Sequence, residues 1–308
     1  MMMQAPPGIV PRFPIDKDCS INKRPTTIPR VLDNPEFCGL ARQVSDQIRY
    51  YRLIVPLNLR EPMYNTVKEK LARGEQVIGG TIDSPDPKVY RAMAKAGLDF
   101  LWIEMQHSPI SYQEAATLIL AGRDLPAIPF IRVPDATEGD IQKATDIGAL
   151  GIIVPMVDEP EKVEAAVRFA KYPPQGKRSH GGGQYRDLWG NDYRNTANDN
   201  TMIIAQIESP TGVDNCEKIA AVPGVDVVFA AANDLASFSG HPQGTLAHEE
   251  LVARISEATL KAGKQLGGPV EWLKRDHYLF FQMLSASTLI PRGVKDQLES
   301  IRSAPVPA

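Results

Sequence analysis

Cysteine is scarce in this chain of 308 residues: three, at 19, 38 and 216, odd in number and without CxxC spacing. That excludes a disulfide framework and a thiolate zinc site. No apolar run approaches the roughly 20 residues needed to span a bilayer. Neither sign of charge dominates, with 34 Lys and Arg against 37 Asp and Glu and a net charge of −3. There is thus no electrostatic case for nucleic acid or an anionic membrane surface as partner. A GxGxxG motif after the first strand-like run is also missing, which removes the usual signature of a dinucleotide fold. The first 35 residues are proline-rich and contain no continuous apolar core of a secretory leader, so a cytoplasmic location is expected.

What is present is an ordinary globular composition, 43% hydrophobic and 23% charged, enough for a sizeable core. Residues 1–60 read as a partly irregular extension, with a helix inside 36–60 that Pro56 would stop. A polar helix is expected over Tyr64–Gly74, with Gly74 at its C-terminal end. Beyond it the chain alternates. Strand-like runs are VIGGTI (77–82), DFLWIEM (99–105), AIPFIRV (127–133), GIIVPMV (151–157), MIIAQIE (202–208), VDVVFAA (225–231), QLGGPV (265–270) and YLFFQML (278–284). Most are continuously apolar, as strands buried on both faces of a parallel sheet should be.

Helical stripes lie between them. Pro160 suits a first helical turn, with Val163, Ala166, Val167 and Ala170 behind it, and Leu251, Ile255, Ala258 and Ala262 form another stripe. Eight strands alternating with helices predict an α/β fold, a (β/α)8 TIM barrel over residues 61–308. Two connections are long: about 30 residues before the fifth strand, containing HGGGQYR (180–186), and NDLASFSGHPQGTLAHEE after the sixth. The glycine run lacks the P-loop pattern and does not follow a strand, so it reads as a loop.

Residues at the C-terminal ends of barrel strands face the active-site mouth. Here those ends carry Glu104 and His107, then Arg132, then Gln206 and Glu208, then Asn233 and Asp234. Glu208 and Asp234 come from different strands with no cysteine or histidine beside them, a donor set that suits a hard cation such as Mg²⁺ or Mn²⁺. Asp234 reads equally well as a helix-start residue, and Glu208 less well. Arg132 fits an anionic substrate oxygen or a structural ion pair. His107 fits a general base oriented by Glu104, or a structural histidine.

In order along residues 64–300, AKAGLDFLWIEMQHSP, PFIRVP, DIGALGIIVPMVDEPEKVEAAVRFAKYPPQGKRS and IIAQIESPTGVDNCEKIAAVPGVDVVFAAANDLASFSGHPQG resemble the HpcH/HpaI aldolases, metal-dependent class II pyruvate aldolases. The resemblance implies that Glu208 and Asp234 hold a divalent cation, Mg²⁺ or Mn²⁺ first and Co²⁺ after them. It implies that Arg132 stabilises an enolate oxygen, that Gln206 and Asn233 help place pyruvate, and that His107 acts with Glu104 as acid and base. The region of Gly183 would approach the aldehyde.

The implied reaction is reversible aldol cleavage of a 4-hydroxy-2-oxo acid to pyruvate, or a close 2-oxo acid, and an aldehyde. The alternatives are an oxaloacetate decarboxylase, an enzyme resembling macrophomate synthase, or a non-catalytic keto-acid-binding barrel. A homo-oligomer, hexamer or trimer, is implied as well. The chain departs from the family pattern in Glu104, where aspartate is usual, and in AANDL (231–235), where GPxDL is usual. The 60-residue extension is outside the family core.

Overall fold

The structure, a computed structural model, describes residues 65–303. The extension and the helix expected within 36–60 lie outside the described residues. Eight strands alternate with helices: β1 (Val77–Ile82), β2 (Phe100–Glu104), β3 (Ile128–Arg132), β4 (Gly151–Val154), β5 (Met202–Ile207), β6 (Val227–Ala230), β7 (Gln265–Pro269) and β8 (Tyr278–Ser285). All pair in parallel in chain order, and β8 returns to β1, closing a (β/α)8 barrel.

A short helix, α1 (Thr66–Ala72), precedes β1. It is shorter than the sequence suggested because the Asn65 side chain caps it, while Gly74 at φ +74° takes the left-handed turn that ends it. The outer helices follow as α2 (Pro87–Lys95), α3 (Tyr112–Ala121), α4 (Glu138–Asp146) and α5 (Pro160–Ala170). Ser111 and Glu114 start α3 with a reciprocal capping box, and Pro160 sits in the first turn of α5. The α5 stripe Val163, Ala166, Val167 and Ala170 is buried as its period requires.

The long connection that follows forms α6 (Tyr185–Trp189) and α7 (Tyr193–Asn200). After β5 come α8 (Pro210–Asp214) and α9 (Cys216–Ala221). After β6 come α10 (Ala232–Ser239) and α11 (Leu246–Lys261), and α12 (Ala286–Ser303) follows β8. On α11 the buried face is His248, Val252, Ile255, Ala258 and Thr259. Leu251 and Ala262 are only half-buried, so that face is turned by about one residue from the expected stripe.

The inside of the barrel explains where the polar strand ends point. Alternate residues of a strand face the same side. Val77, Phe100, Trp102, Ile128, Phe130, Ile153, Met202, Ile204, Val227, Phe229 and Phe280 form one buried cluster inside the ring. The rings of Phe100 and Phe280 stack with centroids 4.5 Å apart, and Phe100 and Phe130 lie 4.8 Å apart. Glycine makes room for them: a Cβ on Gly79 would stand 2.0 Å from the Phe100 ring, and one on Gly151 would stand 2.1 Å from that of Phe130.

The opposite end of the barrel is closed by α1 and the connection through α6 and α7. Buried Asn65 donates to the carbonyls of Leu150 and Asn200, and its backbone N–H donates to the Asn200 side chain. The buried Lys171 ammonium donates to the carbonyls of Asn198, at 2.6 Å, and Thr201. Burial pushes that ammonium down to about 8.

Lys171→Met leaves both carbonyls without this donor, and unfolding in urea should show a loss of about 1–3 kcal/mol. The unfolded chain keeps the lysine proton to about 10.4, whereas the folded protein releases it near 8. Between those values the unfolded state binds more protons, so this residue's contribution to stability rises with pH. The stability gap between wild type and Lys171→Met should widen from pH 8 to 10. A gap that stays constant or narrows counts against the buried ammonium.

Candidate active site

The parity that turns Phe100 and Phe130 into the barrel carries one further step to its mouth. Two residues beyond Trp102 comes Glu104, and two beyond Phe130 comes Arg132. The β2–β3 register sets these two directly opposite each other. In the same way Ile204 leads to Gln206, Phe229 to Ala231, Gly79 to Thr81 and Phe280 to Gln282. Thr81, Arg132, Gln206, Ala231 and Gln282, with Asn233 and Asp234, line a cavity of about 510 Å³ at the C-terminal ends of the strands. That size suits a small ligand.

Arg132 is ion-paired to Glu104, with side chains 11% and 5% exposed, and its guanidinium lies 5.6 Å from the centroid of the Trp102 ring. Glu104 is fully engaged. One carboxylate oxygen accepts from Arg132 and from the Trp102 indole, while the other accepts the backbone N–H of Gln106 at 2.7 Å and of His107 at 2.9 Å. This corrects the expectation of a Glu104–His107 side-chain pair: Glu104 fixes the His107 main chain and the Arg132 guanidinium. The His107 side chain is exposed in the β2–α3 loop, at the mouth end of the barrel but outside the cavity wall.

Glu208 is buried just past β5, and Oε1 accepts the Met156 N–H at 2.8 Å. Met156 is held at φ +50°, a left-handed conformation uncommon for its type. Neither acidic residue is a helix N-cap. Ser209 caps α8 through the Gly212 N–H, and Ala231 occupies the N-cap of α10, with Asp234 in the first turn. Ala231 takes φ −87°, so alanine stands there without backbone strain. Burial, opposed by the Met156 N–H bond, raises the Glu208 carboxyl to about 7, with Asp234 adding to the rise and the Arg132 charge opposing it.

Among the described residues no cluster of three or more histidine, cysteine or acidic side chains could hold a metal. The oxygen set Glu208, Asp234 and Gln206 nevertheless suits a hard divalent cation. The buried Gln206 Oε1 has no hydrogen-bond partner, and Glu208 is short of positive charge.

Gly183 is not brought to this cavity. It packs on the carbonyl of Asp146, the last residue of α4, where a Cβ would stand 2.5 Å from that oxygen. The α4 end and the connection to β5 lie at the closed end of the barrel, so Gly183 is away from the cavity at the strands' C-terminal ends. The sequence reading also passed over Thr81, Gln243, Glu271, Gln282, Ser285 and Thr288, all on the cavity wall. Counting in twos from Gly79 and Phe280 would have found Thr81 and Gln282.

The model of the HpcH/HpaI aldolase/citrate lyase family matches residues 82–288. The chain belongs to that family. The 2-dehydro-3,6-dideoxy-6-sulfogluconate aldolase of Pseudomonas putida is 35% identical over 204 residues, 65% of this chain and 78% of the relative. The hydroxypyruvate/pyruvate aldolase of Deinococcus radiodurans is 36% identical over 189 residues, 60% of this chain and 68% of the relative. Among solved structures, a family protein from Burkholderia cenocepacia J2315 superposes with a TM-score of 0.72 at 29% identity, covering 78% of this chain and all of the other.

Glu104→Gln leaves Arg132 buried without its counter-charge, and urea unfolding should show a loss of about 3 kcal/mol. Turnover should fall as well, while any pH limb that vanishes in His107→Ala stays in place. A limb displaced by Glu104→Gln would instead make Glu104 a partner of the imidazole.

Proposed function

We propose that this enzyme, a lyase, reversibly cleaves a 4-hydroxy-2-oxo acid to pyruvate, or a close 2-oxo acid, and an aldehyde, with a divalent cation as cofactor. One observation supports this above the others: Gln206, Asp234 and the Arg132 guanidinium share one cavity, with Glu208 buried beside Asp234. The relatives named as aldolases support the same reading. Glu208 and Asp234 would hold Mg²⁺ or Mn²⁺, which when bound supplies Lewis acidity at the 2-oxo group.

The chain's own residues account for the rest. Arg132, locked by Glu104, presents a fixed positive charge to the oxygen that becomes negative as the C3–C4 bond breaks. Because the ion pair sets its position before substrate arrives, little reorganisation is needed during reaction. Ala232, Asn233 and Asp234 of the first turn of α10 line the cavity, and the start of a helix is a favourable seat for the 2-oxo acid's carboxylate. Exposed His107 moves the proton of the C4 hydroxyl, or of C3 in the reverse direction, through water. The chain functions as a homo-oligomer, a trimer or hexamer; Ile290, Val294, Leu298 and Ile301 expose an apolar stripe on α12 in the single chain.

Pyruvate in heavy water with Mg²⁺ or Mn²⁺ should exchange its C3 protons. Exchange should vanish with chelator and in Glu208→Ala; no exchange with either metal refutes the enolate chemistry. In His107→Ala, exchange should fall severely and oxaloacetate decarboxylation less, because decarboxylation reaches the same enolate without removing a C3 proton. Equal losses would remove His107 from proton transfer. Faster consumption of oxaloacetate than aldehyde-dependent product formation would favour the decarboxylase alternative.

Cation affinity should follow the Glu208 carboxyl. Below about pH 7 a proton must leave before the carboxylate can bind metal. Calorimetric titration with Mn²⁺ should show affinity dropping toward tenfold per pH unit below 7 and levelling above it. A flat profile from pH 5.5 to 7 counts against Glu208 as a ligand.

A further inference from the structure

Half of the cavity wall is untouched by the chemistry just described. Arg132, Gln206 and Asp234 come from β3, β5 and the turn after β6, whereas β7, β8 and β1 form the facing sector of the closed barrel. That sector contributes Thr81, Glu271, Gln282, Ser285 and Thr288 to the same cavity. Gln282 donates to the Thr81 hydroxyl at 3.0 Å, and the Ser285 hydroxyl lies 3.0 Å from that of Thr288. Hydroxyls and amides of this kind can turn to meet either a donor or an acceptor.

The one charged side chain among the described residues that this sector puts on the cavity wall is acidic, since Lys274 and Arg275 of the same connection do not line the cavity and Arg275 pairs with Glu249. Glu271, in the turn after β7, is exposed on the wall. Asp83, just past β1, accepts the backbone N–H and the hydroxyl of Ser287 beside it. Among the described residues that line the cavity, Arg132 is the one cation, and it already faces Glu104. An anionic group entering the β7–β8–β1 sector would meet Glu271 and find no unpaired cation among the described residues of the wall, whereas a hydroxylated neutral group would find partners.

We propose that the β7–β8–β1 sector receives the aldehyde, that it selects an uncharged, hydroxyl-bearing chain, and that Glu271 is the specificity-determining residue that turns away aldehydes with a second anionic group. This rests on the aldol reading above and adds the class of its second substrate. Rejection by a like charge is selectivity through repulsion, and a difference of 1.4 kcal/mol changes a ratio tenfold. Electrostatic rejection at an exposed carboxylate also weakens as salt rises, whereas steric rejection does not.

The test is aldol addition of pyruvate by the full chain with Mg²⁺ or Mn²⁺ to three aldehydes: glyceraldehyde, propanal and succinic semialdehyde. At low salt, kcat/KM should be highest for glyceraldehyde and about tenfold or more lower for succinic semialdehyde. That gap should shrink with added salt and in Glu271→Gln, and close or invert in Glu271→Lys. Succinic semialdehyde equal to or better than glyceraldehyde with the wild type, or a gap unchanged in both variants, overturns the proposal. Pyruvate C3 exchange by the wild type without aldehyde separates the two levels. Exchange with a reversed aldehyde order removes the specificity assignment alone, and absence of exchange removes both.

Discussion

The packing of three phenylalanine rings inside the barrel governs where every polar strand end points. Phe100, Phe130 and Phe280 fill the centre because β1 and β4 present glycine where the rings lie. Protein interiors are close-packed, so these rings cannot turn outward without leaving a void in the centre and a clash outside. Once their direction is fixed, alternation fixes the rest. Glu104, Arg132 and Gln282 must point into the barrel two or four residues further on, where the rings give way to an open cavity. The polar site is a consequence of the apolar floor beneath it.

On that floor the site separates two kinds of carboxylate. Glu104 is saturated: an ion pair, an indole N–H and two main-chain N–H groups occupy both of its oxygens. Glu208 is also buried, but with one main-chain N–H and an acidic neighbour, so its carboxyl is pushed up to about 7. Burial of a charge is costly unless it is compensated. Glu104 meets that cost with partners inside the chain, and Glu208, with fewer, meets part of it by holding its proton up to about pH 7. Met156 supports the contrast, since its left-handed backbone aims the N–H at Glu208 and holds that carboxylate in place.

Much of this was legible in the sequence because it depends on period and position. Continuous apolar runs separated by helical stripes gave the closed barrel, and the strand-end rule led to Arg132, Gln206, Asn233 and Asp234 on one wall. The misses have physical causes. Glu104 and His107 are three residues apart, but the chain turns after β2, so the carboxylate meets the histidine's N–H and not its ring. Gly183 belongs to a connection between a helix and the next strand, and such a connection crosses the closed end of the barrel. Glu271 lies in the turn after β7 and Thr288 in the first turn of α12, where the strand's alternation no longer says which way a side chain faces. Thr81 was missed for a simpler reason, since a threonine inside an apolar strand reads as β-propensity.

The length of the Glu104 arm, a departure from the family pattern, now has a geometric account. Its carboxylate stands between β2, β3 and the loop after β2, and reaches the Trp102 indole, Arg132 and the N–H groups of Gln106 and His107 together. The glutamate reaches from its own strand to the loop amides and meets Arg132 across the register at the same time. The longer arm ties the loop that carries His107 to the guanidinium of Arg132 on the cavity wall. One carboxylate thus sets the position of the main chain at His107 and of the cation in the cavity, and the imidazole is left exposed.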